Sequence, residues 1–118
     1  MKNLFEIDEW KIVQNQYEPS KQLQAESIFS IGNGSFGQRA NFEEHYSGPT
    51  LQGNYLGGIY YPDKTKVGWW KNGYPEYFAK VLNSCNWIGI NLKINNEEID
   101  IHQQKVISFH KTLDMKKG

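Results

Sequence analysis

Residues Gly32-Asn33-Gly34-Ser35-Phe36-Gly37 spell G-x-G-x-x-G, the spacing with which dinucleotide-binding proteins and kinases wrap backbone amides around phosphate. A dinucleotide site needs these glycines to end a strand and open a helix, with a carboxylate about twenty residues further on for the ribose. The following "SFGQRANFEEHYSGPT" has no helical apolar period, and "YLGGIYY" occupies the place of the carboxylate. A P-loop requires Lys after Gly37, where Gln38 stands. A kinase loop requires Val where Arg39 is found, and no V-A-I-K strand follows. The motif therefore reads as a tight strand-turn-strand connection in which Gly supplies positive φ and close backbone approach.

Two other groups could carry chemistry. Glu43 and Glu44 are a carboxylate pair, but neighbours on a strand point to opposite faces and cannot flank one glycosidic bond, so a structural role is expected. Trp69, Trp70, Tyr74 and Tyr77 offer aromatic faces that stack on a pyranose ring or fill an interface. His45, His102 and His110 are isolated and read as surface or hydrogen-bonded residues. Cys85 has no cationic neighbour in sequence and reads as a quiet packed thiol. The Cys and His spacings match no metal site.

The elements that would position these residues are strands. With 118 residues the chain is at most one small domain, and 13 Lys plus Arg balance 13 Asp plus Glu, which recruits neither nucleic acid nor an anionic membrane. A single Cys and the absence of an apolar leader or spanning run point to a cytoplasmic protein. Ile88, Ile90, Leu92 and Ile94 alternate with polar or small residues, the period of a half-buried strand. Asn95-Asn96 then predicts a hairpin with an even loop, because an odd one would turn Ile99 and Ile101 to the wrong face. Ile107 to Met115 alternates likewise and extends the meander. "WKIVQNQY", "ESIFSI", "FGQRANF" and "NYLGGIYYP" read as further strands, and "PEYFAKVLN" as a short helical turn. The fold class is all-β, a meander of antiparallel strands.

"SIGNGSFGQRANFEEHYSG", "LQGNYLGGIYYPDKTKVGWWKNGYPEYFAKVLNSCNWIGI" and "HKTLDMKKG" resemble the N-terminal domain of glycoside hydrolase family 65, from about Phe5 to Gly118. The most specific parts are the Gly-Asn-Gly turn leading to Arg39, Asn41, Phe42, Glu43 and Glu44, and the block from Val67 to Tyr77. Ala40, His45 and Asn54 depart from the family's usual Gly, Gly and Thr.

The resemblance implies a large multidomain enzyme: an N-terminal β-sandwich, a helical linker, an (α/α)6 barrel and a small C-terminal β domain. Residues 1–118 would be the N-terminal part of the sandwich, with the catalytic barrel outside this chain. The implied reaction is inverting phosphorolysis of a disaccharide, maltose in the branch it most resembles and trehalose or kojibiose in the neighbouring ones. A barrel Glu would protonate the departing oxygen while phosphate attacks the anomeric carbon from the opposite face, giving β-glucose 1-phosphate. No cofactor is expected, inorganic phosphate being a co-substrate, and the resemblance leans towards a homodimer. Arg39 with Glu43 or Glu44 is then expected to form an ion pair between sandwich and barrel, and Trp69, Trp70, Tyr74 and Tyr77 to reach the active-site mouth or an interface. Cut inside the sandwich, the chain alone is expected to be inactive and poorly stable, and a sharp cooperative melt of the isolated monomer would count against that. A stand-alone carbohydrate-binding module and a nucleotide-binding lobe are the rival readings.

Overall fold

Asn95 and Asn96 both take positive φ, 51° and 67°, the left-handed pair of a two-residue hairpin turn that Asn tolerates better than most residues. Lys93 pairs with Glu98 and Ile94 with Glu97, and the Ile99 amide donates to the Leu92 carbonyl at 2.9 Å. The loop is even, as the apolar alternation requires.

The computed structural model describes residues 3–68 and 75–117. Its strands are β1 (Phe5–Ile7), β2 (Lys11–Gln14), β3 (Ile31–Gly32), β4 (Phe36–Gln38), β5 (Asn54–Lys66), β6 (Tyr77–Asn83), β7 (Lys93–Ile94), β8 (Glu97–Glu98) and β9 (Lys111–Asp114), with one helix, α1 (Gln22–Ile28), after a 3-10 turn over Pro19–Lys21. One antiparallel sheet has the order β1-β2-β9 and the other β3-β4-β5-β6, a meander in chain order; β7-β8 is the Asn-Asn hairpin. The chain is thus built on antiparallel strands, as its sequence predicts.

Three local expectations are corrected. "ESIFSI" is not a strand, because α1 runs through Glu26, Ser27 and Ile28. Pro19 fixes the first turn, and the helix buries Gln22, Ala25 and Glu26 at i, i+3 and i+4, so its inward stripe is partly polar and carries no apolar period. "PEYFAKVLN" forms no helical turn; β6 pairs with β5 at Val81↔Tyr60, Lys80↔Tyr61 and Ala79↔Pro62, a tertiary ladder that outweighs a partial helical stripe. The last alternating segment does not extend the meander. β9 crosses back to β2, pairing Leu113 with Ile12 and Lys111 with Gln14.

The core is small and aromatic. Ala25, Phe29 and Tyr46 are buried, and Phe42 contacts Tyr46 at 5.0 Å and Phe109 at 6.2 Å between ring centroids. Tyr17 joins Phe109 at 5.8 Å, and Phe5 meets Phe29 at 6.1 Å. The half-buried strand expected over Ile88–Ile94 is also corrected: strand pairing is confined to β7, with an isolated bridge between Ile90 and Glu44, and Ile90, Leu92 and Ile94 stay about half exposed or more because nothing among the described residues covers that face.

Burial pushes the Tyr17 phenol above its usual range, reinforced by the neighbouring Tyr46 hydroxyl and the charge of Asp100. A folded value above the unfolded one contributes stability that is complete below about pH 10 and is lost as pH climbs beyond it. Urea midpoints at about pH 9 and about pH 11 should therefore fall more steeply in the native sequence than in Tyr17→Phe; equal slopes would refute this.

Candidate functional site

Arg39 follows β4 directly, its amide donating to the Gly53 carbonyl at 2.8 Å. That anchor turns its guanidinium onto α1. Nη2 donates to Ser27 Oγ at 2.9 Å and to the Leu23 carbonyl at 3.3 Å, and lies 3.8 Å from Glu26 Oε2. Glu26 is fully buried. Its Oε2 also accepts the Leu51 amide at 2.8 Å, and its Oε1 accepts Gln22 Nε2 at 3.3 Å and the Thr50 hydroxyl. One carboxylate therefore ties the helix, the end of β4 and the 50–51 loop together. A buried charge is tolerable only with such a set of partners.

Beside this knot, Lys111 enters from β9. Its Nζ donates to the Ala40 carbonyl at 3.1 Å and lies over the rings of Phe42 (5.0 Å) and Phe29 (5.6 Å). Burial lowers its pKa, while the Glu26 and Glu44 carboxylates pull the other way. A gap of about 290 Å³ between the two sheets is lined by Phe29, Ile31, Arg39, Glu43, Ile88 and Lys111 among others. Glu26 and Lys111 escaped the sequence reading because a lone Glu in a segment read as a strand, and a Lys on the apolar side of an alternating one, carry no motif that points to a partner.

The glycine turn proves structural. Ile31 pairs with Gln38 and Gly32 with Gly37, and Gly34 has φ 85°. The Asn33 side chain accepts the Ser35 and Phe36 amides at 2.9 and 3.0 Å, and the Asn33 amide donates to the Phe36 carbonyl at 3.1 Å. These amides are those a phosphate cradle would need, and they are already occupied.

Glu43 and Glu44 run beside Ile90, whose amide donates to the Glu43 carbonyl at 2.6 Å. Glu43 is exposed and Glu44 half-buried. Among the described residues neither pairs with Arg39, whose carboxylate partner is Glu26. Tyr77 opens β6 opposite Lys66, whose ammonium lies 5.5 Å from its ring and 2.8 Å from Glu76. Trp69, Trp70 and Tyr74 lie outside the described residues. Cys85 is exposed, contrary to the packed thiol expected, because it follows the end of β6 and leaves the sheet. His110 accepts or donates at both ring nitrogens, to Asn15 at 2.7 Å and Thr112 at 2.9 Å, the hydrogen-bonded role expected of it. Among the described residues there is no cluster of three or more metal-ligating side chains and no helix long and apolar enough to cross a membrane.

Residues 12–118 match the family model for the glycosyl hydrolase family 65 N-terminal domain. The chain is 53% identical to maltose phosphorylase of Bacillus subtilis over 98% of its own length and 15% of that protein. It is 34% identical to α,α-trehalose phosphorylase of Thermoanaerobacter brockii, over 99% of this chain and 16% of that one. A solved structure of an assigned kojibiose phosphorylase from the human microbiome superposes with a TM-score of 0.80 at 35% identity, covering 96% of this chain and 15% of that one. The chain thus spans less than a fifth of the length of the relatives it matches.

Proposed function

We propose, from the premise that this chain belongs to glycosyl hydrolase family 65 and matches its N-terminal domain, that it is the non-catalytic opening portion of an inverting disaccharide phosphorylase acting on maltose. The observation that carries the substrate is the 53% identity to a maltose phosphorylase, against 34% to a trehalose phosphorylase over the same span. Phosphate replaces the activated water of an inverting hydrolase, so the partners are a disaccharide and inorganic phosphate, with no further cofactor. The acid that protonates the leaving oxygen belongs to a catalytic barrel supplied outside these residues, and the 118 residues alone do not turn over. The enzyme works in the cytoplasm as a homodimer.

Within that reading the Glu26–Arg39 knot is a brace. It holds α1 and the 50–51 loop against the second sheet, and so fixes the origin of β5 and β6. These strands form a two-stranded ribbon, exposed along most of its length. Trp69, Trp70, Tyr74 and Tyr77 remain the candidates for contact with sugar at the active-site mouth or with a neighbouring protein surface, on the chemistry of their aromatic faces. Arg39 is engaged within the chain, which leaves contact with the barrel to Glu43 and Glu44.

The test is phosphorolysis by the native polypeptide that carries this sequence. Glucose 1-phosphate should appear from maltose only when phosphate is present, with trehalose and kojibiose turned over at least about a hundredfold more slowly, a ratio that differential transition-state binding readily supplies. Preferential release from trehalose or kojibiose would move the chain to that branch. Binding of maltose by the 118 residues without any phosphorolysis would replace the proposal with a carbohydrate-binding module.

A further inference from the structure

The Ile101 amide donates to the His45 carbonyl at 3.1 Å, which sets the turn after the Asn-Asn hairpin against residues 45–48. Asp100 Oδ1 accepts the Ser47 amide at 3.1 Å and the His102 amide at 3.0 Å, whereas its Oδ2 has no hydrogen-bond partner. The hydroxyls of Tyr46 and Tyr17 are buried and unpartnered as well. Asp100 is only 6% exposed and Tyr46 only 9%, and the Tyr17 hydroxyl neighbours that of Tyr46 and feels the Asp100 charge. Gly48 closes against the same group: a Cβ there would collide with the Tyr46 hydroxyl and stand 2.7 Å from His102 Nδ1. Buried oxygens left in this state call for an occupant.

We propose that Asp100 Oδ2 and the Tyr17 and Tyr46 hydroxyls hold a monovalent metal cation, sodium or potassium, as a structural ion. The donor set decides the class. Three oxygens suit a hard cation, and none of them belongs to the His and Cys sets that select transition metals. The Ser47 hydroxyl holds the Asp100 carboxyl below the usual carboxylate range, helped by the two amides and His45 and opposed by burial, so the group is charged at neutral pH. Among the described residues no Lys or Arg pairs with it. One carboxylate neutralises one positive charge, and a divalent ion would leave its second charge uncompensated in the interior. Tyr17 also borders an open cleft of about 510 Å³ with Asn15 and Phe109, a route from solvent for the ion and for the water that completes its coordination. The site lies wholly within this chain and is independent of the phosphorylase reading.

The experiment is hydrogen exchange, read by mass spectrometry, of the native polypeptide in choline chloride and in sodium or potassium chloride of equal ionic strength. If opening of this region releases the ion, about 100 mM of an ion bound with an affinity of about 10 mM slows exchange of peptides covering 45–48 and 100–102 about tenfold, and leaves β5 and β6 within about twofold. Equal rates in all three salts overturn the proposal, since the oxygens would then share a water. Tyr46→Phe keeps the ring and removes one ligand, and Asp100→Asn removes the charge; both should abolish the slowing. Tyr46→Phe should also exchange within about twofold of the native sequence in choline chloride, which a merely destabilised variant would not. Should Asp100→Asn fail to fold, Tyr46→Phe decides: slowing that survives in it undiminished places the ion elsewhere and overturns the proposal.

Discussion

Glu26→Ala should remove about 3–5 kcal/mol of stability, the cost of breaking a buried ion pair from one side. The Glu26 side chain is completely buried, and its loss strands several groups at once. The Leu51 amide, the Thr50 hydroxyl and Gln22 Nε2 each lose an acceptor in a place water reaches poorly. Arg39 keeps its bonds to Ser27 and the Leu23 carbonyl but loses its counter-charge. A small domain has roughly 5–15 kcal/mol in all, and this chain has few buried apolar side chains, so the variant should be largely unfolded in the absence of a stabilising partner. Glu26→Gln keeps the shape and most acceptor capacity and should fall between the two. Urea midpoints of the three proteins decide it: a loss below about 1 kcal/mol in Glu26→Ala would mean the knot does not hold the helix.

Gly53→Ala is the second large effect, and it acts on the same knot from the opposite side. Gly53 is buried, and an added Cβ would lie 2.7 Å from Arg39 Cδ and 2.5 Å from the Tyr55 ring. Arg39 cannot step aside easily. Arg39 is held at its amide by the Gly53 carbonyl and at its guanidinium by α1, so relieving the clash disturbs the contacts around Glu26. Overpacking of this kind costs about 1–3 kcal/mol. The mechanism predicts non-additivity: in an Arg39→Ala background, where one side of the clash is gone, Gly53→Ala should cost less by at least about 0.5 kcal/mol. Strict additivity would show that the strain is taken up by Tyr55 alone.

The family resemblance and the antiparallel strand class were both legible in the sequence. Likeness of motifs carried the first and local physics the second. The tolerance of Asn for positive φ determines the turn and the apolar alternation its even loop, although only Lys93–Ile94 of the expected strand pairs, and the missing Lys and missing helix after Gly37 exclude a phosphate cradle, without reference to any distant residue. The identity of the helix was not legible, because its buried stripe contains Gln22 and Glu26, whose burial makes sense only once Arg39, Thr50 and Leu51 are beside them. Nor was the partner of the last strand. Alternation says that Lys111 to Leu113 has two faces, but only closure of the long loop between β2 and β9 decides that they lie against residues 11–14 instead of the Asn-Asn hairpin. The same closure sets Lys111 against Phe29 and Phe42 and half-buries its charge between them. Periodicity and turn chemistry are properties of neighbours along the chain, and they gave the strands and the class. Which charges become buried partners depends on contacts between residues far apart in sequence, and only the tertiary structure supplied those.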